Sequence, residues 1–202
     1  LRRGLLMLAQ LLMNVYIQVF RGTPMIVQAV VIYYGAQYAG VFMDTTFAAI
    51  FIISINTGAY MAEIIRGGIV SVDKGQFEAA HAIGMTHWQT MTTVVLPQAI
   101  RNILPSVGNE LIVNIKDSSV LNVISVSELF FQAKSAAGTY YRYFEVYFII
   151  AVIYFILTLS VSAQNQPALR AFVNQTSENF DFTLQPVSTT EPYTAMIAGK
   201  HK

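Results

Sequence analysis

Three stretches of this chain, Met25 to Phe42, Thr45 to Ala62 and Val146 to Ala163, contain no Asp, Glu, Lys or Arg. A helix of about 18 residues rises ~27 Å, close to the thickness of a bilayer's hydrocarbon core. In lipid the backbone must satisfy its own hydrogen bonds, so runs of this length read as membrane helices. They constrain the fold more than any other feature, and the rest of the sequence is arranged around them.

The composition agrees. Of 202 residues, 54% are hydrophobic and 11% charged, less than half the ~25% charge usual in soluble domains. A formal net charge of +1 with no clustered Lys and Arg argues against a nucleic-acid partner. The absence of cysteine excludes disulfides, thiolate metal sites and Cys nucleophiles, and leaves the compartment open. Residues 1–20 have the basic start and apolar run of a signal peptide but no small-residue cleavage site, which points to an amphipathic or partly embedded helix. The sequence opens without Met, so an upstream piece, such as another span, is expected.

Four spans are expected. Met25–Phe42 follows Thr23-Pro24, which predicts an N-cap and a proline at the first helical position. Thr45–Ala62 is bounded by Asp44 and Glu63, and Val146–Ala163 is uninterrupted. The third in chain order, Ile103–Leu129, carries Glu110, Lys116 and Asp117, so it spans only if those groups face protein or water. Arg2, Arg3, Arg21, Arg66, Lys74 and Arg101 then share one side while Lys134 and Arg142 lie opposite, and the positive-inside bias places residues 71–97 in the cytoplasm. Tyr140, Tyr141, Tyr143, Phe144 and Tyr147 fit an aromatic belt at the other interface.

The 71–97 loop has an internal design. Ser71 or Asp73 can cap a helix through Phe77, Ala79, Ala80 and Ile83, with Gly84 placed to end it left-handed. Thr86 and Gln89 form a T-x-x-Q capping box for a second helix carrying Trp88, Met91 and Val95, and Pro97 is its expected limit. Small Ala79 and Ala80 permit close approach, while exposed Trp88 and Met91 call for a partner. An amphipathic hairpin lying on lipid is the plainer reading of the same residues.

Glu78-Ala79-Ala80, three residues, Gly84, nine residues, Val94, one residue, then Leu96-Pro97 resembles the EAA loop of bacterial ABC-importer permeases, with Val94 in place of Ile. "FRGTPMIVQ" (20–28), "NTGAYMAEIIRGGIVSVDKGQFEAA" (56–80) and "KDSSVLNVISVSELF" (116–130) are similar to the polar amino-acid branch, which includes permeases for histidine, glutamine, glutamate, arginine and opines. The likeness runs over residues 1–162. It implies an all-α, multi-span helical bundle in the bacterial inner membrane, with the family's first span lying upstream of residue 1. It also implies that the loop is a coupling element, with Glu78, Ala79, Ala80, Gly84, Trp88, Leu96 and Pro97 set against a cytoplasmic ATPase subunit. The further partners implied are a second permease subunit, identical or not, and an extracytoplasmic substrate-binding protein. No phosphate loop G-x-x-x-x-G-K-[ST] is present, so no cofactor is expected on this chain, and ATP with Mg belongs to the ATPase. Glu78 either meets a basic group on that partner or caps within the loop. Residues 163–202, rich in Gln, Asn, Ser, Thr and Pro, read as a loosely ordered tail without assigned function.

Glu110, Asn114 and Asp117 recur at i, i+4 and i+7, on one helix face. Either they pair with Lys116 or a second subunit to hold helices together, or the stripe lines a substrate path in which Asp117, Ser118 and Ser119 meet an ammonium at a helix break. Ser54, Asn56 and Thr57 border the same region, as interhelical hydrogen-bond partners or as ligand contacts. Glu63 and Arg66 are spaced for an interfacial ion pair. His81 and His87 straddle Gly84 and do not form a metal pair, and no H-E-x-x-H or G-x-S-x-G motif supports hydrolysis. An ion-coupled amino-acid carrier or channel using the acidic stripe is the alternative function; it leaves the spacing of the loop unexplained.

Overall fold

A computed structural model describes residues 2–179, with side chains over 4–163 and at Ala171. Helix α1 (Arg2–Gly22) leads through Thr23-Pro24 into α2 (Met25–Tyr38) and then α3 (Thr45–Val70). The 71–97 loop holds α4 (Lys74–Ala82) and the short α5 (His87–Gln89), followed by a π-helical turn over Thr90–Val95. Then come α6 (Leu96–Asp117), a 3-10 segment over Ser118–Ile124, α7 (Leu129–Tyr140) and α8 (Tyr143–Asn179). The described residues are thus helices and the links between them.

Three of these helices are long and apolar enough to cross a membrane: Gly4–Gly22 of α1, Thr45–Val70, and Tyr143–Ala163 of α8. Two bounds differ from the sequence expectation. The N-terminal stretch, expected only to be amphipathic or partly embedded, is a continuous helix of spanning length. The Met25–Phe42 run yields a helix of 14 residues, because Gly40 turns left-handed at φ 82° and the Val41 N–H closes back on the Ala36 carbonyl at 2.8 Å. The N-cap also shifts: Pro24 itself holds that position, and Thr23 instead returns its hydroxyl to the Val19 carbonyl at 2.8 Å.

Helix α3 overruns Ala62 to reach Val70, so Glu63 and Arg66 stand on the same rod as the apolar run. Its start is capped as a short polar side chain dictates, Asp44 accepting from the Thr46 and Phe47 N–H groups at 2.9 and 3.2 Å. α3 packs on α1, α2 and α6, and α6 in turn on α8. Ala29, Ala48, Ala49, Ile52, Leu121 and Ile124 form one buried cluster, and Val72, Val95 and Ala99 a second beneath the loop. Small residues let these backbones approach, the usual source of helix association in lipid. Large apolar side chains on α1 and α8, among them Leu5, Leu12, Phe148 and Phe155, are mostly exposed, a face suited to lipid or another subunit.

The third run, expected as one span over Ile103–Leu129, is divided and is not among the three helices of spanning length. α6 ends at Asp117, the chain tightens into the 3-10 segment, and Ser125 adopts a left-handed conformation at φ 64°. α8 continues to Asn179, into the segment expected to be loosely ordered; residues 180–202 of that tail lie outside the described residues.

Candidate functional site

The 71–97 loop is built from two end-capped helices. Of the two candidate caps, Asp73 takes the role for α4, accepting from the Gly75 N–H at 2.6 Å. Ser71 instead donates to the Gly68 carbonyl at 2.8 Å and accepts from the Asn102 amide at 2.9 Å, fastening the end of α3 to α6. α4 stops at Ile83, and Gly84 follows at φ 82°. The Gly84 N–H reaches the His81 carbonyl and the Met85 N–H the Ala80 carbonyl, both at 3.0 Å. That pair of bonds is a Schellman stop, and a left-handed residue after the C-cap is what it requires. The expected capping box is also formed, with Gln89 N–H on Thr86 Oγ1 at 3.3 Å and Thr86 N–H on Gln89 Oε1 at 2.9 Å.

Two expectations about the second helix are corrected. Pro97 does not end it: helix α5 passes through the π turn into α6, with Pro97 in the first turn of the latter. Proline has no N–H for the Thr93 carbonyl, and a widened turn just before it re-registers the hydrogen-bond ladder without breaking the rod. Met91 is not an exposed docking residue; it packs with Ile69, Phe77 and Ile103 against Val72, Val95 and Ala99. The partly buried Met91 and Phe77, packed on this cluster, hold α4 against the α5–α6 rod.

The loop residues therefore divide. Ala80 is fully buried and Ala79, Leu96 and Pro97 are half-buried, so they brace the loop from inside. Glu78, Ile83 and Gly84 are exposed, as is Trp88 at 75%. Among the described residues Glu78 has no ion-pair partner.

The acidic stripe is dispersed over several contacts. Glu110 is 8% exposed on α6. Asn114 Oδ1 accepts the Thr57 hydroxyl of α3 at 3.0 Å. Asp117 ends α6, half-buried. Ser118 and Ser119 donate to the Ile115 and Lys116 carbonyls at 2.8 and 2.6 Å. Asn56 turns away from this group: its amide gives one hydrogen bond to Gln28 Oε1 at 2.9 Å and one to the Phe20 carbonyl at 3.4 Å. The structure thus brings Thr57 to Asn114 but sends Asn56 to the α1–α2 elbow.

Gln28 was not singled out by sequence reasoning. Its amide nitrogen lies within 2.8–2.9 Å of the Phe20 carbonyl, the Thr23 carbonyl and Thr23 Oγ1, closing the elbow around Pro24. Glu128 was missed too. It caps α7 through the Phe130 and Phe131 N–H groups and accepts the Tyr154 hydroxyl at 3.2 Å. A carboxylate immediately before an apolar helix was the available signal for it. Towards the C-terminal end of α3, Glu63 pairs with Arg66 as the spacing predicts and also lies 3.8 Å from Arg21, whose guanidinium stands 5.7 Å from the Tyr60 ring centroid. Among the described residues no cluster of three or more His, Asp or Glu side chains could hold a metal ion.

This arrangement has known relatives. Residues 7–197 match the family described as "Binding-protein-dependent transport system inner membrane component". The glutamine transport system permease protein GlnP of Escherichia coli K12 is 43% identical over 150 residues, covering 73% of this chain and 68% of that protein. The arginine transport system permease protein ArtQ of Bacillus subtilis is 41% identical over 145 residues, covering 71% and 66%. A solved structure described as an amino acid ABC transporter with histidines superposes at a TM-score of 0.74 with 47% identity, over 78% of this chain and 74% of the other. The chain belongs to the family of binding-protein-dependent transport system inner membrane components, as a permease subunit of an ATP-driven importer of the bacterial inner membrane.

Proposed function

We propose that this subunit provides the path for a polar amino acid and takes up the work of ATP hydrolysis through residues 71–97. The observation that carries the coupling role is the capped loop itself. Two helices fixed about Gly84 expose Glu78, Ile83 and Trp88 outward while Met91, Phe77 and Ala80 pack inward. A body held this tightly passes on a rigid displacement, and α6 and the span-length helix α3 lead directly out of it. ATP and Mg are handled by a separate cytoplasmic subunit, and a second permease subunit and an extracytoplasmic binding protein complete the importer. Glutamine and arginine, named for the relatives, are the first substrates to try.

The test is reconstitution in vesicles with the partner ATPase and binding protein. Amino-acid-loaded binding protein is expected to raise ATP hydrolysis and drive uptake together. Uptake by the membrane subunit alone, under an ion gradient and without nucleotide, contradicts the proposal and favours a carrier.

A further inference from the structure

An open cleft of about 340 Å³ lies between the end of α6, the start of α7 and the first turns of α8. Lys116 and Ser119 stand on one wall, Phe130 on another, and Tyr147, Ile150 and Tyr154 on the third. The last three recur along one face of α8, and the Phe130 and Tyr147 rings are 5.7 Å apart.

The polar groups here are almost all engaged. Ser119 donates to the Lys116 carbonyl at 2.6 Å, and the Tyr154 hydroxyl donates to Glu128 at 3.2 Å. Glu128 already accepts two backbone N–H groups. Lys116 is exposed, and among the described residues no carboxylate lies within ion-pair distance of it. A lone ammonium beside apolar walls, packed against the spanning helix α8, is costly unless an anion or water meets it. Its four-carbon stem lets the charge reach towards the interface marked by Tyr140, Tyr143 and Phe144.

We propose that this cleft binds an anionic phospholipid, with the phosphate on Lys116 and the acyl chains along α8. A free amino acid fits poorly, because its ammonium finds no free carboxylate in the lining. Glu110, Asn114 and Asp117, which could supply acceptors, are not among the residues that line the cleft. The same argument disfavours a headgroup bearing its own ammonium. What remains is a phosphodiester with a neutral headgroup and an apolar body. The inference rests on the membrane orientation of the proposed function but not on its coupling mechanism.

The test is native mass spectrometry of the assembled transporter incubated with phosphatidylglycerol or phosphatidylcholine of the same acyl chains. The wild type is expected to retain phosphatidylglycerol about fivefold better, the size of one basic contact to an anionic lipid. Lys116→Gln abolishes that preference and Lys116→Arg keeps it. Equal retention of the two lipids, an unchanged preference in Lys116→Gln, or displacement of phosphatidylglycerol by glutamine or arginine overturns the proposal. Should the Gln variant not assemble, the thermal shifts of the wild-type and Arg forms decide: a larger stabilisation by phosphatidylglycerol in both is required, and equal stabilisation by the two lipids overturns it. ATP hydrolysis stimulated by binding protein in phosphatidylcholine vesicles tests the coupling reading separately.

Discussion

Gly68 of α3 lies against Ile103 of α6 so closely that a Cβ on Gly68 stands 2.1 Å from Ile103 Cγ1 and 3.3 Å from the Ala99 carbonyl oxygen. This contact joins the two stems of the 71–97 loop two residues before α3 ends. With the Asn102–Ser71 hydrogen bond beside it, the loop and both stems form one packed body.

Gly68→Val therefore pries the stems apart. Overpacking of a tight contact costs about 1–3 kcal/mol, and the expected outcome is a lower unfolding midpoint for the purified subunit. Gly67→Ala is the control, since nothing lies within 4 Å of a Cβ there; its midpoint stays near wild type.

Gly84 differs because its surroundings are open and its backbone is not. Nothing lies within 4 Å of its Cβ position, but φ is 82°. A β-branched residue held left-handed costs about 1–2 kcal/mol, enough to loosen the turn without unfolding the bundle. Gly84→Val is expected to depress transport by more than about tenfold while the basal ATP hydrolysis of the complex persists. Transport equal to wild type contradicts the role assigned to the turn.

Asn56 separates a packing role from a ligand role. Its amide is spent on Gln28 and Phe20, so Asn56→Ala strands a buried acceptor on Gln28 at about 1–3 kcal/mol. Thermal stability falls while the concentration of binding protein giving half-maximal transport stays fixed. A selective change in amino-acid preference with stability unaltered identifies Asn56 as a substrate contact instead.

Much of the loop was legible because its signals are local. Asp73, Gly84 and the Thr86–Gln89 box act within four residues of themselves, where spacing alone specifies the hydrogen bonds. Pro97 was misread because a proline in a first turn and a proline after a last turn look alike, and only the π turn upstream distinguishes them. Met91 and Trp88 are both large apolar residues, one on the π turn and one on α5 just before it, and which of them is buried depends on where α4 packs. Asn56 and Thr57 are adjacent yet face different helices, Gln28 on α2 and Asn114 on α6, a partition set by tertiary contacts. The same limit hid Gln28, whose neighbours are brought together only when the chain bends at Pro24.

Trp88 is the exposed aromatic expected to anchor the ATPase subunit. Trp88→Ala is expected to weaken that association by about 2 kcal/mol or more, as for a central aromatic contact, measured by calorimetry, with the subunit's own unfolding midpoint unchanged. A loss of stability matching the loss of binding points to packing inside the loop.

Site-directed cross-linking from position 88 tests the central claim most directly. In the assembled transporter, Trp88→Cys carrying a short photo-reactive probe is expected to capture the ATPase subunit, with a yield that changes between nucleotide-bound and nucleotide-free states. Exclusive capture of lipid, or labelling by a membrane-impermeant reagent from the outer side of sealed cells, contradicts the account.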